Sequence, residues 1–397
     1  MIGISAIVAA GSAVIALRSQ FSLPAVVDWR GGAKASPTGN FMNAISYTEH
    51  GGPDVLSFQK VPRPIPRDGQ ILIHVKASSV NPIDFKLRRN PVPDWILRKP
   101  KIPGADLAGI VVQVGTTTEV VTKKNDHNTK KNSFKIGDRV AAMMPLIGGQ
   151  WGSNAEYVAI DSSLVASLPD AVEYESAAAL PLVSLTVMQS LNKLKSTTKG
   201  KKILIHAGAG GVGTFAIQYA KYVLGMYVAT TASKEKAEFL KSLGADLVID
   251  YRTQDFTTIV KDYDAVLDTM SFLYEAKTLR TNVLKKTGHY LNIFSSDWSL
   301  VNGKEKSFGL VTCWNVVLHK LVNLLAPGRF LPKYDFCVVN PNGSQLQLAL
   351  DLLGNGKIQS VIDSVYPLSK LSDAHEHLEG GHVTGKVVIQ HEENSSQ

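Results

Sequence analysis

Between Met42 and about Ala166, short apolar runs alternate with turn signals: ILIHV at Ile71–Val75, GIVVQVG at Gly109–Gly115 and DRVAAMM at Asp138–Met144. Pro62, Pro64, Pro66 and the pair Asp68–Gly69 punctuate the same stretch. Apolar runs this short and this closely spaced predict strands of an antiparallel or partly open barrel. The texture changes after Pro169. A buried strand is predicted at Lys202–His206, then a helix at Gly213–Leu224 with Phe215, Ile217, Tyr219, Ala220 and Val223 on its apolar positions. Strand Tyr227–Thr230, helix Lys234–Leu243 and strand Asp246–Ile249 follow, and Ala265–Leu267 and Tyr290–Ile293 continue the series. Alternation of this kind builds a parallel sheet covered by helices. Beyond Gly354 a short helix-and-strand tail closes on GKVVI, Gly385–Ile389. The predicted class is α/β, a β-rich lobe joined to a doubly wound parallel sheet, without internal repeats.

The amino terminus obeys neither pattern. Ile2–Leu17 is a run of 16 uncharged residues, just short of the roughly 17–25 that span a bilayer. No basic region precedes it, as a secretory signal requires, and it lacks the arginine-rich amphipathic character of a mitochondrial presequence. It reads as a membrane anchor or an organelle-targeting segment, with a disordered extension as the alternative. If it spans, Arg18, Arg30 and Lys34 after it place the bulk of the chain on the cytoplasmic side. Ser19–Asn40, with Gly31, Gly32, Pro37 and Gly39, reads as a linker.

Composition narrows the function. At 397 residues the chain has room for two or three domains. A hydrophobic share of 44% against 19% charged excludes a disordered chain. The net charge of +8 is spread along the sequence without interleaved aromatics, so no nucleic-acid partner is indicated. The basic run Lys123–Lys135 reads as a solvated loop. Cys313 and Cys337 cannot make a disulfide framework, a four-cysteine zinc site or a CxxC pair, and read as buried or incidental thiols.

The chemistry is concentrated in ILIHAGAGGVGTFAIQYAK, Ile203–Lys221. Gly208, Gly210 and Gly213 match G-x-G-x-x-G, with Gly211 a fourth glycine, between a predicted strand and a predicted helix. That context binds a dinucleotide: glycine lets the backbone approach a pyrophosphate, and the helix amino terminus favours the anion. A site for NADH places an acid at the end of the second strand to hold the ribose 2′-hydroxyl. Here YVATTASKEK, Tyr227–Lys236, has no acid before Glu235 and offers Thr230, Thr231, Ser233 and Lys234 instead. This surface suits a 2′-phosphate, and the expected cofactor is NADPH.

With these motifs in order, the chain resembles the zinc-independent quinone oxidoreductases of the medium-chain dehydrogenase/reductase superfamily. The resemblance runs from Met42 to Ile389. It rests on SSVNPIDFKLR (Ser78–Arg88), PGADLAGIVVQVG (Pro103–Gly115), IGDRVAAM (Ile136–Met143) and AAALPLVSLTVMQSL (Ala177–Leu191). The glycine motif, LGADLVIDY (Leu243–Tyr251) and GHVTGKVVI (Gly381–Ile389) complete it. Its GVGTFAIQ, GKIQSVID and GGHVTGKVVI segments resemble the mitochondrial reticulon-interacting branch, with plastid-envelope homologues also similar. The resemblance implies a GroES-like catalytic domain at 41–181, a Rossmann NADP-binding domain at 182–339, and a return to the catalytic domain at 340–391, after the segment 1–40. It implies hydride transfer to a hydrophobic quinone or α,β-unsaturated carbonyl in the cleft between the lobes.

Zinc-dependent cousins start their metal site with a Cys and a His-Glu pair. This chain has Gly104-Ala105-Asp106 at the corresponding place and no cysteine in the amino-terminal lobe, so no metal is expected. Carried over, Asn81 and Asp84 are the expected catalytic residues at the nicotinamide end of the cleft. Gly211 and Val212 would hold the pyrophosphate, and Ser233, Lys234 and Tyr251 would surround the 2′-phosphate. Thr269 would approach the nicotinamide ribose, and His382, Val383 and Thr384 would touch the cofactor from the tail. The family often has Ser where Ala209 stands and Arg where Thr384 stands, which removes a hydroxyl contact and a cation. His206 reads as packed, and the i, i+2 spacing of His375 and His377 does not suit a metal. The apolar stretch Ser307–Phe336 is open to three readings: a lid with Trp298, Phe308 and Trp314, a homodimer surface, or core. A membrane-tethered interaction protein that keeps the pocket but turns nothing over is the alternative function.

Overall fold

The computed structural model describes residues 40–89, 98–115, 134–146, 150–194, 198–270, 274–293 and 332–391. The segment Ile2–Leu17, Trp298, Phe308, Cys313 and Trp314 lie outside the described residues, as does most of the loop Lys123–Lys135. Among the described residues no helix is long and apolar enough to cross a membrane.

The amino-terminal strands are β1 (Phe41–Ser46), β2 (Ser57–Pro62), β3 (Gln70–Val80), β4 (Asp106–Val114), β5 (Arg139–Met143), β6 (Tyr157–Asp161) and β7 (Val165–Ser167). β1 and β2 form an antiparallel pair. The others enter a seven-stranded sheet completed from the far end of the chain by β14 (Ile362–Pro367) and β15 (Lys386–Gln390), in the order β14-β15-β3-β4-β5-β7 with β6 on β3. Only β14 and β15 pair in parallel; the remaining neighbours are antiparallel. β3 outruns the predicted Ile71–Val75, because its last turn buries hydroxyls with partners. Ser78 Oγ donates to Asn154 Oδ1 (2.8 Å) and Ser79 Oγ to Asp106 Oδ2 (2.8 Å).

The middle of the chain forms a second, wholly parallel sheet. Its strands are β8 (Lys202–Ile205), β9 (Tyr227–Ala232), β10 (Leu247–Asp250), β11 (Tyr263–Asp268), β12 (Leu284–Ile293) and β13 (Lys333–Cys337), in the order β10-β9-β8-β11-β12-β13. Both faces are covered, so β8 reads as one continuous apolar run. Ile203 and Ile205 face one core cluster and Leu204 the other. The first of these clusters also takes in Ala77, Ala108 and Met143 from the seven-stranded sheet, so one core joins the two lobes. The strand order reverses between β8 and β11, the switch point outside whose carboxyl strand ends open parallel sheets bind ligands. The predicted helix at Gly213–Leu224 begins two residues earlier, at Gly211–Gln218, and ends in a π turn over Tyr219–Val223. The carboxyl end of the apolar stretch Ser307–Phe336 is strand: Lys333–Phe336 belong to β13 at the sheet edge.

Candidate active site

The glycine-rich turn leaves β8 through Ala207, whose φ of 51° is unusual for alanine. Its amide donates to Thr231 Oγ1 (3.1 Å), and the Gly208 amide to the Thr231 carbonyl (3.0 Å). Packing itself demands three of the glycines. A Cβ on Gly208 would lie 2.1 Å from Thr230 Oγ1, one on Gly213 2.4 Å from the Ala207 carbonyl oxygen, and one on Gly211 2.7 Å from Lys386 Cδ. Gly210 differs, since a Cβ there would find nothing nearer than the Ala207 oxygen at 3.5 Å. The space over Gly210 is therefore left open, and a backbone with room above it is what a pyrophosphate needs. Val212 follows in the first turn of the helix. Thr269, just past β11, donates its hydroxyl to the His206 carbonyl (2.8 Å) and so belongs to the same turn.

The carboxyl-terminal tail closes against this turn. The Gly385 amide donates to the Ala209 carbonyl (2.8 Å), and Gly210 and Gly385 form an isolated parallel bridge. Thr384 donates its amide to Asp363 Oδ1 (2.8 Å), while its hydroxyl oxygen is buried with no protein partner. An unpartnered buried hydroxyl beside the open glycine turn fits a ligand atom there. Val383 packs against the cluster of Val80, Leu371 and Val387, and His382 is exposed.

The ends of β9 and β10 assemble the next expected group. The Tyr251 amide donates to the Ala232 carbonyl (3.2 Å), which sets Tyr251 beside Ser233 and Lys234. Tyr251 and Lys234 are exposed. Arg252, not expected at this site, lies next to them with its guanidinium carbon 5.9 Å from the Tyr251 ring centroid.

Asn81 and Asp84 lie at the start of the helix Pro82–Arg89, both buried. Asp84 Oδ2 accepts from the Asn81 amide (2.8 Å) and Oδ1 from the Gly104 amide (3.2 Å). Burial pushes its pKa up to about 6, against these hydrogen bonds. Asp84 thus holds two backbone turns together. Asn81 is engaged more deeply: Nδ2 donates to Asp106 Oδ2 (2.8 Å), and Oδ1 accepts from Lys386 Nζ (2.5 Å). Asp106 also accepts from Lys386 Nζ (3.3 Å) and, through Oδ1, from the Leu182 amide (2.7 Å) in the first turn of the helix Pro181–Leu191. Neither Asp106 nor Lys386 was expected as a site residue. A buried charge pair is tolerated only when its remaining valences are satisfied, and here they are. Lys101, also buried, has its pKa lowered to about 8 by desolvation, with the Asp84 charge opposing.

Lys386 links the two halves of the site. Its methylenes pass beneath Gly211, and its ammonium reaches Asn81, the Val80 carbonyl (3.2 Å) and Asp106. His206 is walled in by Tyr274 (ring centroids 4.6 Å) and Phe256 (4.9 Å), and burial lowers its pKa to about 3, so it packs as a neutral ring. His375 is buried without a hydrogen-bond partner, whereas His377 Nε2 meets Asp363 Oδ2 at 2.7 Å near the surface, so the two imidazoles do not converge. Among the described residues, no three His, Cys, Asp or Glu side chains group so as to hold a metal ion.

Two family models match the chain: an alcohol dehydrogenase GroES-like domain over residues 67–170 and a zinc-binding dehydrogenase over 243–389. A chloroplast envelope quinone oxidoreductase homolog from Arabidopsis thaliana is 32% identical, the match covering 89% of this chain and 99% of that protein. An NADPH-dependent alkenal/one oxidoreductase, chloroplastic, from the same plant is 34% identical over 88% of this chain and 79% of its own. A human NAD(P)H oxidoreductase RTN4IP1, mitochondrial, is 30% identical over 89% of this chain and 90% of its own. Among solved structures, a quinone oxidoreductase from Coxiella burnetii superposes with a TM-score of 0.73 at 30% identity, over 88% of this chain and 99% of that one.

Proposed function

The chain belongs to the zinc-independent quinone oxidoreductases of the medium-chain dehydrogenase/reductase superfamily, and from that premise we propose that it is an NADPH-dependent reductase of quinones or α,β-unsaturated carbonyls. The observation that carries the reading is the junction of the open glycine turn with the buried Asn81–Asp106–Lys386 cluster, made through Lys386. Two relatives carry names of this activity, one for quinones and one for alkenals and enones with NADPH.

Gly208, Gly210, Gly211, Val212 and Gly213 would hold the pyrophosphate, with Thr269 and Thr384 flanking it and His382 and Val383 beside the tail. Ser233, Lys234 and Tyr251 would receive the 2′-phosphate. Bound there, NADPH supplies hydride to the electron-poor carbon of the acceptor. The protein's own part is orientation. Asp84 and Asp106 fix the turn bearing Asn81, and Lys386 fixes that turn against the glycine loop. The proton that completes reduction has no dedicated donor among the assigned groups, and water or a nearby hydroxyl supplies it.

Sheet membership supports a catalytic unit of 41–181 with 340–391 and a cofactor unit of 182–339: β14 and β15 complete the first sheet, and β8 to β13 make up the second. A mitochondrial location draws support from the relative named as mitochondrial, while anchoring through Ile2–Leu17 draws none from the described residues. The test is NADPH oxidation followed by absorbance with a simple quinone and a simple enone, beside an NADH control. Binding of NADPH with no turnover of any acceptor would overturn the proposal in favour of a non-catalytic cofactor-binding protein.

A further inference from the structure

Beside the side chains expected to receive the 2′-phosphate, a cation is already paired with an anion of the chain itself. The Arg252 guanidinium lies 3.2 and 3.3 Å from the two carboxylate oxygens of Glu235. The Arg252 guanidinium carbon also lies 5.9 Å from the Tyr251 ring centroid. The Tyr251 amide in turn bonds to the Ala232 carbonyl, so the whole group sits where β9 and β10 end. A carboxylate and a phosphate compete for the same planar cation. Glu235 is the first acid after β9, one turn too late to reach a ribose hydroxyl from the strand end. Its placement instead sets it against the donors of the neighbouring anion subsite.

We infer that Glu235 is an internal competitor for the cofactor's 2′-phosphate, and that Arg252 is the specificity residue for which the two anions compete. This inference rests on the NADPH reading above and adds two residues to it. When a 2′-phosphate enters, Arg252 exchanges the Glu235 carboxylate for phosphate oxygens, and Glu235 swings into solvent. Both partners permit that exchange, Arg252 being 53% and Glu235 66% exposed. An exposed pair of this kind is weak, so the competitor moderates affinity for NADPH without abolishing it. NADH and 5′-AMP carry no 2′-phosphate, leave the pair in place and are indifferent to it.

The experiment is titration calorimetry on the full chain, wild type against E235A, E235Q and R252A, with NADPH, NADH, 2′,5′-ADP and 5′-AMP as ligands. Removal of Glu235 is expected to tighten NADPH and 2′,5′-ADP by about two- to fivefold, the range a surface ion pair allows. NADH and 5′-AMP should change by less than about twofold, within the error of removing an unengaged surface charge. R252A should loosen NADPH by at least about tenfold, as for loss of a hydrogen bond to a charged group. Weaker NADPH binding by E235A would show that Glu235 positions Arg252 instead of competing for it. Weaker NADH binding by E235A would show that Glu235 holds the ribose. Either result overturns the inference, as does NADPH affinity that E235A leaves unchanged. Failure of the wild type to bind NADPH or 2′,5′-ADP at all would overturn the underlying cofactor reading, and with it this one.

Discussion

Asp106→Asn is the sharpest perturbation of the buried cluster. The asparagine keeps the shape of the aspartate, and its remaining oxygen can still accept from the Leu182 amide at the Oδ1 position. At the Oδ2 position an amide NH2 would face three donors: the Ser79 hydroxyl, Asn81 Nδ2 and Lys386 Nζ. Asp106 is fully buried and the Lys386 side chain is 6% exposed, so the ammonium loses its counter-charge with no water to replace it. Breaking a buried pair by deleting one partner costs about 3–5 kcal/mol. Lys386 keeps Asn81 Oδ1 and the Val80 carbonyl, which places the expected loss near the lower end, about 3 kcal/mol. Urea unfolding followed by circular dichroism, with a common slope for wild type and variant, measures it. D106N/K386M removes both charges and should recover part of the loss, since no unpaired charge then stays buried. A D106N cost below about 1 kcal/mol would refute the argument. So would a double variant whose losses simply add, because the two groups would then be uncoupled.

Gly210→Ala should leave stability within about 0.5 kcal/mol, since φ of −74° suits any residue and the nearest atom is 3.5 Å away; NADPH affinity by calorimetry should fall, and unchanged affinity would remove Gly210 from the pyrophosphate path. Gly208→Ala, by contrast, drives a methyl to 2.1 Å from Thr230 Oγ1 and should lower the melting temperature whether or not cofactor is present. Gly211→Asp sets a carboxylate against the Lys386 methylenes and the expected phosphate path, and retained NADPH binding in that variant would contradict the assignment. Asp84 releases its proton near 3.8 in the unfolded chain but near 6 in the folded one, so the native state binds more protons between those values. Stability should therefore fall as pH rises from about 4 to about 6, by about 3 kcal/mol from this residue, and stay level above. The difference between wild type and Asp84→Asn should slope through that window, and a flat difference would show the carboxyl titrating as it does in water.

The parts of this fold that a single sequence exposes are those whose physics is local. The strand of β8 and the glycine turn after it are specified within about twenty residues, because burial on both faces, the strand-to-helix packing and the anion-binding helix end are all neighbours along the chain. Even there, the helix starts two residues before the predicted boundary, with Gly211 inside it despite its low propensity because Lys386 occupies the space a side chain would need. Resemblance located Asn81 and Asp84, and the structure shows why such a turn persists: each side chain is consumed in holding backbone or charge, so both positions are fixed by geometry before any substrate arrives. What stayed hidden is whatever depends on pairs distant in sequence. Asp106 and Lys386 are 280 positions apart, and each alone reads as a stray charge in an apolar strand. That misfit was the available signal, since an unpaired charge is almost never fully buried and two of them in apolar strands demand each other. Arg252 and Glu235 gave a fainter one, two ordinary surface charges whose meaning comes only from lying beside the end of β9, where the absence of a ribose-binding acid had already been the informative feature.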